Sequence, residues 1–268
     1  MRLTVISDLH VEFYKDPRSL QRKIDDLFPD IHKEDILLLV GDVGVAGDCK
    51  LMMDSNYKAM LEFFAKRWNY VIMIPGNHEY YDRDRTCSLK DIDEMIRAEC
   101  NRLGIIFLNQ NVAVLEREGE TPIAFIGCTL WSAATKKAYS MMNDKLQAIL
   151  SHSELLQIHS EHKNWLERKL EEYSKQNYKI VVLTHHLPLV ELTYAKYLEE
   201  PYAVVNSGYC SDLSDIVKKY AESIDLWCCG HTHEFVETKK YGVRFYINPM
   251  GYPRESRETG IRTKTLRI

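Results

Sequence analysis

Short apolar runs recur along the chain: LTVIS (3–7), DILLLVG (35–41), YVIMIPG (70–76), GIIFLN (104–109), VAVLE (112–116), PIAFIG (122–127), KIVVLTH (179–185), IDLWCCG (224–230), VRFYINP (243–249) and TKTLRI (263–268). They are rich in β-branched residues and bounded by Gly, Asp or Asn, which predicts strands mostly buried on both faces. Helical spacing appears between them at 17–28, 54–68 and 88–103, the last behind a Ser88-x-x-Asp91 cap, and again at 153–173. Alternating strands and helices predict an α/β fold. The runs between 104 and 129 have little helix between them and predict a second, partly antiparallel sheet. Residues 131–152 and 187–210 are less regular and are expected to be loops over a site. No repeat or Pro/Gly/Ser linker divides the chain, so 1–268 is expected to be a single domain.

The strands end in an unusual set of residues. LTVIS runs into Asp8-Leu9-His10, DILLLV into Gly41-Asp42, and YVIMIP into Gly76-Asn77-His78-Glu79. KIVVLT runs into His185-His186, and DLWCC into Gly230-His231-Thr232-His233. Parallel strand ends converge on one edge of a sheet, where α/β folds bind ligands. In an extended strand residues i and i+2 point the same way, so Asp8 with His10, and His231 with His233, are each expected to grip one ion. Asp8, His10, Asp42, Asn77, His185, His231 and His233 are too many for one tetrahedral ion and suit two ions that share Asp42. Mixed carboxylate and imidazole donors suit Mn, Fe or Zn better than Ca. His32, His152, His159 and His162 fall on predicted helix or loop and are given surface roles.

Composition narrows the function classes. The chain has 268 residues, 45% of them hydrophobic, enough for a full core. The net charge of −4 and pI near 6.2 do not favour a surface for long nucleic acid or for membranes. The seven cysteines (49, 87, 100, 128, 210, 228 and 229) contain no CxxC and read as small buried hydrophobes in a reducing compartment. MRLTVISDLH turns polar too early for a signal peptide, and no run is long enough to span a bilayer, so a cytoplasmic location is expected.

In that order, DxH, GD, GNHE, H and GHxH resemble the calcineurin-like metallophosphoesterase superfamily, from Asp8 to about Pro253. TLWS (129–132), MNDK (142–145), THHLP (184–188), YCSDL (209–213) and INPMGYPRE (247–255) look like one bacterial-type branch of it. The resemblance implies a four-layer α/β/β/α sandwich of two mixed sheets with a dimetal site at the C-terminal strand edge. It implies Asp8, His10, Asp42 and His233 around one ion, and Asp42, Asn77, His185 and His231 around the other. The cofactors would be two divalent cations, Mn foremost, with Fe or Zn as alternatives. His78 is similar to the family's catalytic histidine, which binds no metal and protonates the leaving oxygen. His186 is placed as a substrate-facing neighbour, and Glu79 as a residue that orients its surroundings. A metal-bridging hydroxide would attack phosphorus in line. The family's phosphoprotein phosphatases carry an Asp after GD that orients the catalytic histidine. Here GDVGVAGD has Val45 at that place, with Asp48 the nearest acid.

The implied activity is hydrolysis of a small phosphomonoester or phosphodiester, a nucleotide among the candidates. Arg83 and Arg85 are candidate phosphate contacts, and Tyr80, Tyr81, Trp131 and Tyr139 a candidate stacking wall. A phosphoprotein phosphatase, a nuclease and a non-enzymatic interaction scaffold are the alternatives; metal content separates the scaffold from the enzymes.

Overall fold

A computed structural model of the chain describes residues 1–32, 34–48, 52–81, 87–148, 151–255 and 261–268. Cys49, Arg83 and Arg85 lie outside the described residues. The chain runs β1 (Arg2–Ile6), α1 (Arg18–Leu27), β2 (Asp35–Val40), a small hairpin β3 (Gly47–Asp48) and β4 (Met52–Met53), α2 (Ser55–Arg67), β5 (Tyr70–Ile74), α3 (Leu89–Leu103), β6 (Ile106–Phe107), β7 (Asn111–Leu115) and β8 (Ile123–Cys128). It continues through α4 (Lys136–Met141), α5 (Asp144–Gln147), α6 (His152–Ser174), β9 (Lys179–Thr184), α7 (Ser214–Lys219), β10 (Ile224–Cys229), β11 (Val236–Lys240), β12 (Val243–Ile247) and β13 (Leu266–Arg267). Among the described residues no helix is long and apolar enough to cross a membrane.

Two mixed sheets stack face to face. One has the order β13-β1-β2-β5-β6 and the other β11-β12-β10-β9-β8-β7. Strand alternation makes the layers. In β2, Leu37 and Leu39 join the core beneath α1, α2 and α3, while Ile36, Leu38 and Val40 meet Phe125, Val181 and Leu183 of the second sheet. Ile180, Val182 and Trp227 face the opposite way, onto Leu166 and Leu170 of α6 and Val217 of α7. Each central strand is therefore covered on both sides, which is why the runs read as continuously apolar. Local signals agree with the helices. Asp54 caps α2 by accepting from the N–H groups of Asn56 and Tyr57, and Ser88 with Asp91 forms the expected capping box on α3.

Two expectations need correction, and one strand carries no apolar run that would predict it. β6 pairs with β5 in the first sheet, so the run at 104–109 does not join β7 and β8. VETKK forms the edge strand β11, paired antiparallel with β12; its outer face is solvated, so it lacks the apolar run that marks the other strands. His159 and His162 are buried rather than on the surface. They lie in the inward stripe of α6 with Leu155, Leu166 and Leu170, at helical spacing. Beyond β8 the backbone turns through Leu130 (φ 69°) and Trp131 (φ 53°), which takes its polar groups out of the ladder. His162 Nδ1 accepts from the Leu130 N–H at 3.2 Å, and His159 Nδ1 lies 3.1 Å from the Leu130 carbonyl. The imidazoles satisfy buried backbone groups that have no strand partner.

This arrangement has a pH consequence. Burial, with His159 adding to it, pushes the His162 pKa down to about 3. The folded chain holds His162 neutral, whereas the unfolded chain protonates it below about 6.5. The stabilisation is therefore present above pH 6.5 and is lost as pH falls toward 3. Between pH 7 and pH 5 the wild type should lose about 2 kcal/mol more stability than His162→Gln, which keeps an acceptor for Leu130. Urea midpoints at the two pH values check this, and equal slopes would contradict it.

Candidate metal centre

Parallel strands β1, β2, β5, β9 and β10 present their C-terminal ends to one edge. Their following loops bring together Asp8, His10, Asp42, Asn77, His78, His185, His231 and His233, all of them buried or half-buried. The pairs do not meet by strand alternation, as the sequence predicts. β1 ends at Ile6 and β10 at Cys229, and the loops then curl through the left-handed region. Asp8 (φ 55°), His10 (49°), Asp42 (52°), His231 (68°) and His233 (52°) all have positive φ. Such residues cost of order 1–3 kcal/mol each and persist where the surroundings over-determine them. Here the loops are laced to one another: the N–H groups of Leu9 and His10 donate to the Asp42 carbonyl at 2.7 and 3.1 Å, and the His231 N–H donates to Asp8 Oδ1 at 2.8 Å.

Three overlapping groups of donor atoms result among the described residues. Those of Asp8, His10 and His233 lie within 4.8 Å of one another, as do those of Asp42, His185 and His231, and His10 and Asp42 form a third such group with His78. Asp42 stands between them, with Oδ2 3.2 Å from His185 Nε2 and 3.8 Å from His10 Nε2. Asn77 Oδ1 is 3.2 Å from His185 Nε2; its Nδ2 donates to the Tyr81 hydroxyl, which fixes the amide with oxygen inward. Outer partners hold the rings. His185 Nδ1 faces the Val40 carbonyl at 3.0 Å, His233 Nδ1 faces Glu255 at 2.7 Å, and His10 Nδ1 faces Glu12 at 3.3 Å. Each leaves Nε2 pointing into the site, as metal-ligating histidines do.

The donor set fits divalent cations. His10 Nε2 and His233 Nε2 are 2.9 Å apart, a contact that requires a shared proton or a cation to take both lone pairs. Burial pulls the His185 pKa down, but Asp42 outweighs it and raises it to about 10. A cation bound at that nitrogen would displace this proton. The packing around Asp42 leaves no room for side chains. A Cβ on Gly76 would collide with the Asp42 carboxylate and lie 2.8 Å from His185 Cε1, and one on Gly41, at φ 81°, would collide with the His185 ring.

His78 joins His10 and Asp42 in the group that links the other two, its Nε2 4.0 Å from Asp42 Oδ2 and its backbone N–H donating to Asp42 Oδ1 at 2.9 Å. Its Nδ1 is 2.7 Å from Glu12 Oε1. Glu12 is the acid on this histidine, and sequence reasoning missed it. The available signal was its place two residues beyond His10 in DLHVE. Burial pulls the His78 pKa down, but Asp42 and Glu12 outweigh it, so it rises to about 9. Burial raises the Glu12 pKa, but its bonds to His10 and His78 bring it down to about 2. Glu79 is fully buried beneath the site. Its Oε2 accepts from the N–H groups of Gly76 (2.7 Å) and Asp42 (3.0 Å), and its Oε1 accepts from that of Val43 (2.8 Å). Burial and the Asp42 charge press its pKa upward, while backbone donors on both oxygens favour the ionised form.

A cavity of about 470 Å³ opens above Asp42, Asn77, His78, His231 and His233. Residues from 141–144 and 194–209 wall it, in keeping with the expectation of loops over a site. The expected aromatic wall is only partly right. Tyr81 lines the cavity, but Tyr80 is buried against Asp93, Trp131 stacks on His186, and Tyr139 packs on His152. The other phenols on the wall are Tyr194, Tyr197, Tyr209 and Tyr252. His186 is fully buried between Trp131 and His231 and does not reach the cavity, which corrects its placement as substrate-facing. The backbone turn at Leu130–Trp131 carries the indole inward over it.

A family model described as calcineurin-like phosphoesterase matches residues 1–235. An uncharacterized protein of Acanthamoeba polyphaga mimivirus is 25% identical, over 94% of this chain and 92% of its own length. The phosphopantetheinyl hydrolase of Mycobacterium tuberculosis has a similar fold, with a TM-score of 0.73 and 19% identity over 97% of this chain and 94% of that one. A putative 5'-nucleotidase from Staphylococcus aureus matches with a TM-score of 0.53 and 15% identity, over 92% of this chain and 48% of that one.

The Glu79 cradle is open to test. Because both oxygens accept backbone N–H groups, Glu79→Gln turns an amide NH₂ against at least one of them. It should destabilise the fold by about 1–3 kcal/mol, read from the urea midpoint at constant m. An unchanged midpoint would show that the cradle carries no such load.

Proposed function

The chain belongs to the calcineurin-like phosphoesterase family, and from that premise we propose that it hydrolyses a small phosphomonoester or phosphodiester with the help of two divalent cations. The observation that carries this reading is the chain of overlapping donor groups, Asp8 with His10 and His233, His10 with Asp42 and His78, and Asp42 with His185 and His231, at the floor of a cavity that His78 also lines. Asp8, His10, Asp42 and His233 would hold one cation, and Asp42, Asn77, His185 and His231 the other. Bound there, Mn²⁺, Fe²⁺ or Zn²⁺ would supply Lewis acidity toward water and toward the phosphoryl oxygens. The phosphopantetheinyl hydrolase and the putative 5'-nucleotidase among the structural neighbours are in keeping with ester hydrolysis.

The chain's own residues do the rest. Glu12 holds His78 by Nδ1, which leaves Nε2 free to present a proton to the leaving oxygen. The raised His78 pKa favours the protonated form that this role requires. Tyr252 lies 4.5 Å, ring to ring, from His10 and Tyr81 lies 4.3 Å from His78, so aromatic faces shield the floor from bulk water. Among the described residues Lys196 is the one Lys or Arg on the cavity wall, which suits a small substrate better than a long nucleic acid.

Mn²⁺-dependent hydrolysis of p-nitrophenyl phosphate, measured against bis-p-nitrophenyl phosphate, tests the reading and decides between monoester and diester. Asp42→Ala should bring turnover to background and lower bound metal, and full activity in that variant would refute the shared ligand. His78→Ala should retain the metals. It should lose about 10²–10⁴-fold in kcat on alkyl esters, whose leaving groups need a proton, and less on nitrophenyl esters. Equal losses on both would remove His78 from the proton-donor role.

A further inference from the structure

Asp144 is a cavity group with no part in the chemistry assigned to Asp42 and His78. It opens α5 and is 4% exposed, yet its Oδ1 has no hydrogen-bond partner. It lines the same cavity as Asn77 and His78. Burial raises the Asp144 pKa, and its charge helps to raise that of His78. A buried acceptor without a donor weakens the fold, and a ligand that brings a donor removes that penalty. Ionised or neutral, a carboxyl keeps an acceptor oxygen, so the bond is open in either state.

The surrounding wall indicates what such a ligand is. Tyr197 and Tyr209 stack at 4.6 Å with an interplanar angle of 24°, and Tyr209 lies 5.1 Å from His231, so a flat phenolic surface leads down to the site. The Lys196 ammonium sits 4.9 Å from the ring centres of both Tyr194 and Tyr197. Glu234 and Glu255 share the wall with Asp144. Against these three carboxyls, Lys196 is the one Lys or Arg among the described lining residues, so further phosphates on the leaving group would find little compensation away from the floor.

Resting on the phosphoesterase reading, we propose that Asp144 is a specificity-determining residue that accepts a hydrogen bond from a hydroxyl of the leaving alcohol. The substrate class is then a phosphate ester of a neutral, hydroxyl-bearing alcohol, such as a nucleoside or another polyol, rather than of a further phosphorylated one. The geometry is consistent. The leaving oxygen must face His78, and Asp144 lines the same cavity, where a substituent of the leaving alcohol would meet it. Sites built to pair a substrate hydroxyl discriminate strongly against analogues that lack it.

The test compares glycerol phosphate with n-propyl phosphate, in whichever ester form the nitrophenyl pair favours. Wild-type enzyme should prefer the glycerol ester by about tenfold or more in kcat/KM. Asp144→Ala should bring that ratio close to one, whereas Asp144→Asn, whose amide oxygen still accepts, should keep most of it. A wild-type ratio near one, or a ratio unchanged in Asp144→Ala, overturns the inference even while p-nitrophenyl phosphate is hydrolysed. If the metal-loaded wild type hydrolyses no phosphate ester at all, the phosphoesterase reading fails and this inference fails with it.

Discussion

The Asp42 carboxylate is the point on which the architecture turns. It is 1% exposed at the tip of a strand buried on both faces, where an uncompensated charge would be prohibitive. Its surroundings exist to compensate it. The His78 N–H donates to it, the His185 and His10 rings face it, and Gly76 leaves the space it occupies. Glu79 ties the Asp42 and Gly76 backbones into one cradle from below. Two cations sharing this carboxylate would complete the balance that imidazolium protons otherwise supply.

The site is assembled from loops, but a rigid frame sets its positions. Three apolar layers bury both faces of each central strand, and parallel pairing places the strand ends at one edge. The left-handed residues then aim the donors. Backbone strain at Asp8, His10, Asp42, His231 and His233 is concentrated where the donors meet, as expected where function rather than folding selects the conformation. The walls come from the two irregular segments, whose Tyr, Met and Asp side chains give the cavity a chemistry distinct from its floor.

Much of this was legible in the sequence because burial on both faces writes an unbroken apolar run, and the run's end marks where polar residues emerge. The convergence of Asp8, His10, Asp42, Asn77, His185, His231 and His233 could be read from the residues that follow each apolar run. What escaped depends on facts that no linear pattern carries. Glu12 reaches His78 across 66 positions of sequence. The inward histidines of α6 serve a backbone turn at Leu130 that is visible only once β8 and α6 are packed together. β11 is solvated on one face and carries no apolar run, and Tyr80 and Trp131 are aromatic residues of the core whose neighbours happen to line a cavity.

The central claim is a pair of cations coupled through Asp42, and electron paramagnetic resonance of the Mn²⁺-loaded protein tests it most directly. The expected result is two Mn²⁺ per chain with an exchange-coupled spectrum, because two ions held by one carboxylate would be near enough to couple. One Mn²⁺ per chain, or two giving independent uncoupled signals, would contradict it.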